Sequence, residues 1–278
     1  MGLSFPINIR DSKADVINVY ATGAGNFLPE ENISLIMTNA SVLFNIDAVA
    51  YRSRINIDFQ GNYTIYNPNK SQNVTLAAPF SPDFENLESS SVIRIANTTI
   101  SHSYFEYNTT LSPWEEYLDW HYYGGRKFLI INVTFPENDT ITIEYSFDAY
   151  LDIYESYDGL EIFYDVGTSR AWNGTTSERV EFKVYGKRPD SYSVYRKDYF
   201  EYNCTISEIE DYTSYTWEWE NEIINVNCVY ISFSYYNPWG RLLPFILFPS
   251  LIGGVIISML IVRRRANRKA KRELYRPN

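Results

Sequence analysis

From residue 12 to residue 238 apolar and polar side chains alternate in short runs, the period-two pattern of strands with one buried face. Residues 55–66 are typical. Ile55, Ile57 and Phe59 alternate with polar neighbours, a turn is expected at Gln60-Gly61-Asn62, and a strand resumes at Tyr63. Residues 128–135 and 140–150, separated by Pro136-Glu137-Asn138-Asp139, predict a hairpin. Tyr157-Asp158-Gly159 predicts a further turn before a strand at 160–164, and residues 199–207, 213–221 and 224–236 read as three more strands. The helical candidate is 112–120, with Ser112 as N-cap, Pro113 at the first helical position and Glu115 and Glu116 in the first turn. Turn residues at intervals of about ten positions predict an all-β ectodomain of one or two antiparallel β-sandwich modules.

The alternation ends at residues 242–262, LLPFILFPSLIGGVIISMLIV, which carry no charge. At about 1.5 Å per helical residue this run is about 31 Å long, close to the ~30 Å hydrocarbon core of a bilayer, and it predicts a single C-terminal transmembrane α-helix. The tail, 263–278, holds eight Lys/Arg and one Glu, whereas the residues just before the run supply only Arg241. That bias places the C-terminus in the cytoplasm and the N-terminus outside, in a single-pass protein of the cell membrane. Ser250, Gly254 and Ser258 recur every four residues, a small-residue face that would let two helices pack as a homodimer, though Gly and Ser are common in membrane spans and need no partner, while Pro244 and Pro249 kink its outer half. The expected layout is an N-terminal segment (1–11), a β-sandwich module (12–150), a second β module (151–238), the helix (242–262) and a basic tail (263–278). Residues 1–10 lack the ~7 to 15 apolar residues of a signal peptide, so an export signal is expected to precede the chain, and Pro6 argues against an N-terminal lipid.

Charge separates the two sides. The tail is +7, which leaves −17 for the rest of a chain whose net charge is −10. An acidic exterior excludes nucleic acid and anionic lipid as partners of the ectodomain. The tail itself suits anionic headgroups, and it is too short to fold as a signalling domain. Asn-x-Ser/Thr sequons begin at Asn32, Asn39, Asn62, Asn69, Asn73, Asn97, Asn108, Asn132, Asn138, Asn173 and Asn203, all before the apolar run. They exceed the roughly three or four that chance gives, which fits an N-glycosylated surface. Cys204 and Cys228 are the two cysteines, and in an oxidising compartment a disulfide between them is expected, closing a loop of about 25 residues for about 3 kcal/mol. Two buried thiols are the alternative. Zinc is not expected, because structural sites usually need four ligands.

Candidate chemistry is sparse. The two histidines, His102 and His121, lie in no recognised motif, and there is no phosphate loop, metalloprotease motif or EF-hand. Asp148, Asp152 and Asp158 could serve calcium, though they read first as ordinary solvated acids. A carboxylate pair for glycoside cleavage needs only two acids ~5 to 9.5 Å apart, and the sequence does not select one. No cofactor is expected. Aromatic residues make up 17% of the chain, including 25 Tyr and 6 Trp, more than a modest core requires. Trp114, Tyr117, Trp120, Tyr122 and Tyr123 form a candidate binding patch, and Tyr215, Trp217 and Trp219 a second cluster; each suits stacking on sugars or anchoring an interface, or packing between sheets.

Residues 164–174, YDVGTSRAWNG, resemble a Tyr-x-x-x-Thr-x-x-x-Trp-x-Gly stretch of β-rich cell-envelope proteins of archaea and bacteria. The layout of a glycosylated β ectodomain on a C-terminal span looks similar to such proteins as well. The resemblance implies a β-rich surface protein and transfers no catalytic role; read physically, Trp172 is expected as a core anchor. The expected function is a cell-surface glycoprotein for recognition, adhesion or envelope structure, with the lipid bilayer and a glycan or protein ligand as partners. A tethered glycan-active hydrolase and an accessory subunit of a membrane complex are the alternatives.

Overall fold

The computed structural model describes residues 19–29, 34–106, 127–153, 158–196, 199–201 and 204–235, together with Met259 and Arg263, both helical. The helical candidate at 112–120 and the patch of Trp114, Tyr117, Trp120, Tyr122 and Tyr123 lie outside these residues, as do Ser250, Gly254 and Ser258. No described helix is long and apolar enough to cross a membrane, and of residues 242–262 only Met259 is described. The chain divides into Met1–Tyr235 and Tyr236–Asn278.

The first unit is all-β. Among the described residues, one sheet runs β14 (Tyr199–Glu201), β13 (Ser191–Arg196), β17 (Cys228–Ser234), β11 (Gly159–Asp165), β1 (Val19–Gly25), β5 (Gln72–Phe80), β9 (Lys127–Phe135) and β8 (Ser103–Glu106), with β2 (Leu28–Pro29) also on β5. The other runs β15 (Thr205–Ile209), β16 (Tyr212–Glu222), β12 (Thr176–Gly186), β3 (Ile36–Ala48), β4 (Arg54–Asn67), β10 (Asp139–Asp152), β6 (Val92–Ile95) and β7 (Thr98–Thr99). We call these sheets A and B. Their inner faces share one hydrophobic cluster, with Phe27, Leu76, Ile131 and Ile162 on the sheet A side and Phe44, Phe59, Phe147 and Phe182 from sheet B. A 3-10 segment, Val166–Ala171, and a short helix, α1 (Leu87–Ser90), complete the described elements.

Four expectations change. Residues 127–152 are not a hairpin: β9 pairs with β5 and β8 in sheet A, while β10 pairs with β4 along its whole length and with β6 in sheet B. The Pro136–Asn138 turn crosses from one sheet to the other, carrying the chain from β9 in sheet A to β10 in sheet B. No turn interrupts β4. Its inner face runs without a phase break through Ile55, Ile57, Phe59, Gly61, Tyr63 and Ile65, and Gly61 is there to make room, since a Cβ would stand 2.5 Å from the Tyr63 hydroxyl. The sheets are mixed rather than antiparallel, with β1 parallel to β11 and β3 parallel to β12. Finally, these two pairings join strands from both sides of residue 150, so no module boundary falls there; parallel neighbours need long crossovers, and the crossovers interleave the halves.

The disulfide does not form. Cys204 precedes β15 at the margin of sheet B, whereas Cys228 lies in β17, in register with Tyr195 of sheet A. The three strands expected to be stapled therefore belong to opposite sheets. Partial burial pushes the Cys204 thiol up to about 11, which suppresses thiolate and oxidation. Unfolded, unreduced protein should take up thiol reagent at both cysteines, and Cys204→Ser should cost no more than about 1 kcal/mol instead of the 2 to 5 of a lost bridge. A Cys204–Cys228 linked peptide in non-reducing mapping would restore the bridge.

Candidate functional site

A buried polar chain runs between the sheets. The backbone N–H of Asn26, just past β1, donates to Thr168 Oγ1 at 3.1 Å, and that hydroxyl donates to the Asp165 carbonyl at 2.6 Å. The Asn26 side chain donates from Nδ2 to Glu178 Oε1 at 2.9 Å and accepts from the Tyr164 hydroxyl. Tyr164 and Tyr63 share a hydroxyl contact of 3.1 Å. Glu178 stands on the inner face of β12, in phase with Val180 and Phe182, and is fully buried. Burial raises its carboxyl to about 8, with the Asn26 amide pulling the other way, so the group is mostly neutral at pH 7. Its Oε2 has no hydrogen-bond partner among the described residues. The Tyr63 and Tyr164 hydroxyls are raised by the same burial. A raised acid in a cleft would suggest catalysis; this one is sealed between packed sheets, and its role is structural.

The outward face of sheet B offers a surface a ligand can reach. A groove of about 340 Å³ is lined by Asn45, Asp47, Asn56, Asp58, Asp148, Tyr150 and Tyr185, with Ile57, Asn86 and Ala149. Strand register builds it: Asn45, Asp58 and Asp148 stand side by side across β3, β4 and β10, and Tyr185, Asp47, Asn56 and Tyr150 form the next row. Asn45 donates to Asp58 at 3.1 Å, while Gln60 reaches the same carboxylate at 3.4 Å. The Arg54 guanidinium covers the Tyr150 ring at 4.1 Å and pairs with Asp152 at 2.8 Å. Carboxylates and amides lie together here beside aromatic rings, with Asp58 and Asp148 directly opposite each other, so the carboxylates accept and the Asn45 and Asn56 amides can donate.

The described sequons occupy the other end of the sandwich. That end holds the start of β3, the end of β4, the start of β5 and the turn between β9 and β10, drawn together by Asn67, whose Nδ2 donates to the carbonyls of Phe135 and Pro136. Asn69, Asn138 and Asn173 lie in its turns, linked by the Asn138 N–H to Asn69 and the Asn173 N–H to Leu35. Asn97 follows β6 beside the first residues of β10. Asn39, Asn73 and Asn132 are close to the strand ends there, and Asn62, the deepest, is five residues from Asn67. All eight of these asparagines are exposed. Asn62 is four residues from Asp58 on the same strand, roughly 13 Å at ~3.3 Å per residue. The groove lies toward the opposite end, where Tyr51 of the β3–β4 turn stacks on Tyr235 at 5.9 Å. Asn32, Asn108 and Asn203 are outside the described residues.

Other expected sites resolve differently. Asp148 is in the groove, Asp152 is paired with Arg54, and Asp158 precedes β11 in sheet A, so the three do not converge. No group of three or more His, Cys, Asp or Glu able to hold a metal occurs among the described residues. His102 Nε2 lies 3.1 Å from the Tyr104 hydroxyl, and His121 is outside the described residues. Tyr215 and Trp217 are buried and Trp219 half-buried, so this cluster packs as core. Trp172 is buried too, and its indole N–H donates to the Phe27 carbonyl at 2.9 Å, the anchor expected of it. Sequence reading missed the groove. The polar phase of β3 and β4 was visible in Asn45, Asp47, Asn56 and Asp58, but their alignment with Asp148 depends on register.

No family model matches the chain, and no curated protein matches it. A solved structure from Legionella pneumophila, described as a candidate nutrient binding protein, is similar over 78% of this chain and 72% of its own, with TM-score 0.57 and 14% identity. The M1 zinc metallopeptidase of Deinococcus radiodurans is similar over 74% of this chain, with TM-score 0.33 and 8% identity, and this chain spans 43% of that protein. At such identity the Legionella likeness is one of fold.

Proposed function

We propose that the chain is a single-pass cell-surface glycoprotein, N-terminus outside and C-terminus cytoplasmic, that recognises a saccharide in the groove of sheet B. The observation that carries the reading is the segregation of sequons. All eight described sequon asparagines are exposed and gathered at one end; of the other eight described asparagines, Asn26 and Asn67 are buried, Asn45 and Asn227 half-buried and Asn56, Asn86, Asn221 and Asn225 exposed, so placement and not exposure sets the sequons apart. Glycans would coat one end and leave the groove open at the other. Sugar hydroxyls donate and accept at once, which suits a groove that mixes Asp and Asn side chains, and Tyr185 offers a ring face. The apolar run at 242–262 and its basic flank supply the anchor. The layout agrees with the envelope proteins that residues 164–174 resemble.

On intact cells, external protease should digest the chain before Leu242 and spare a tag fused after Asn278, and glycopeptides should map to the described sequons. In titrations of the full chain with mono- and disaccharides, Asp58→Asn and Tyr185→Ala should each weaken binding at least about tenfold. Loss of the tag retracts the topology. Binding that both variants leave unchanged, or none to any sugar, retracts the groove, and turnover of a glycoside would favour the hydrolase.

A further inference from the structure

Two sequons face each other in register. Asn73-Val74-Thr75 on β5 and Asn132-Val133-Thr134 on β9 pair antiparallel, Asn73 opposite Thr134 and Thr75 opposite Asn132. Each threonine serves the other sequon: Thr75 Oγ1 donates to Asn132 Oδ1 at 2.9 Å, and Thr134 Oγ1 to Asn73 Oδ1 at 3.4 Å. Both bonds use the amide oxygen and leave Nδ2, the atom that carries a glycan, pointing away with no hydrogen bond among the described residues. Between the exposed Asn73, Asn132 and Thr134 and the half-buried Thr75, Val74 and Val133 are buried in the core.

We propose that Asn73 and Asn132 are a pair of glycan acceptors that can be modified only before β5 and β9 join, whereas Asn97 and Asn138 remain modifiable on the folded protein. The inference rests on the glycoprotein reading. In the transfer, Nδ2 bonds to the anomeric carbon of an oligosaccharide carried on a polyisoprenyl pyrophosphate. The bond from that carbon to the pyrophosphate oxygen breaks, the lipid pyrophosphate leaves, and the amide loses one proton. The transferase must hold the amide and the hydroxyl two residues on together, with the chain bent at the asparagine. In the folded pair both hydroxyls are engaged, both backbones are extended and bonded to each other, and bending either strand outward would lift Val74 or Val133 from the core. Asn97 and Asn138 differ at the asparagine and at the hydroxyl, although the two residues after each asparagine enter β7 and β10. They sit in turns with φ of 62° and 51°, and the hydroxyls two residues on, of Thr99 and Thr140, are exposed and make no hydrogen bond among the described residues. Once attached, two neighbouring glycans are compatible with the sheet, because both threonine bonds fall on Oδ1.

The test uses full-length chain made without glycans, refolded or left unfolded in mild denaturant, and treated with a single-subunit oligosaccharyltransferase and its lipid-linked oligosaccharide. Site occupancy is read by peptide mass spectrometry. On folded chain, Asn97 and Asn138 should be modified at least tenfold faster than Asn73 and Asn132; on unfolded chain the four rates should converge. Equal rates on folded chain overturn the proposal, as does a persistent tenfold gap on unfolded chain. Absence of glycan at every sequon of protein isolated from its own cells would instead overturn the glycoprotein reading, and the folded-to-unfolded comparison would still decide the order of events.

Discussion

Replacing Glu178 with glutamine is expected to stabilise the protein at neutral and alkaline pH, and to leave it nearly unchanged below about pH 4.5. The carboxyl has its ordinary value of 4.5 in the unfolded chain and is raised to about 8 by burial in the fold. Below 4.5 both states hold the proton and nothing differs. Between 4.5 and 8 the folded state keeps it while the unfolded state releases it, so each rise in pH favours unfolding by about 1.36 kcal/mol per pH unit. Over the whole window the native protein loses about 5 kcal/mol through this one group, and above 8 the loss is complete. Carboxylates held below their ordinary range slope the other way, as at Glu181, where bonds from the Ser214 hydroxyl and then Arg179 outweigh partial burial. The difference between the two proteins isolates Glu178, since glutamine keeps an Oε1 for Asn26. Denaturant midpoints at pH 4, 6 and 9 measure it, and parallel profiles for the two proteins would show that the carboxyl is not held neutral.

Phe44→Ala should be the costliest simple truncation in the core. Phe44 of β3 is fully buried, with ring centroids 4.9 Å from Phe59, 4.8 Å from Phe182 and 5.9 Å from Tyr164. It therefore touches neighbours on its own sheet and, through Tyr164 of β11, the facing one. The packed rings leave little freedom to collapse into the space, so about 3 to 5 kcal/mol should be lost. Val49→Ala, at a side chain 73% exposed in the β3–β4 turn, should change stability by less than about 0.5 kcal/mol. Comparable losses for the two variants in chemical denaturation would contradict this placement of the core.

Much of the strand content was legible, because period-two alternation reports which side of a strand is dry. The inner faces of β3, β4, β10 and β12 follow directly from Phe44, Phe59, Phe147 and Phe182 and their neighbours two positions away. Alternation does not say which strand lies alongside. Hence β9 and β10, joined by a short turn, read as a hairpin although each pairs within a different sheet, and Gly61 read as a turn although it yields space to an aromatic ring. The candidate groove was half legible: Asn45, Asp47, Asn56 and Asp58 were visibly outward, but only register sets them beside Asp148. Glu178 was legible in another sense. Thr176, Glu178, Val180, Phe182 and Val184 share one phase, so the pattern already placed an acid inside, against the usual preference of carboxylates for water.

The interleaved crossovers make the two halves of the chain mutually dependent. β1 lies against β11 and β3 against β12, so a fragment ending near residue 150 would present two long strand edges with unpaired backbone groups and exposed apolar faces. Such a fragment would aggregate rather than persist as a smaller version of the fold. During synthesis the ribosome must deliver the chain through Asp165 before the β1 edge is closed and through Gly186 before the β3 edge is, which at ~5 to 20 residues per second is a wait of roughly 7 to 28 seconds for β3. Unfolding should be equally concerted, because neither half has a core to retreat to: the sheets melt together, in one cooperative step.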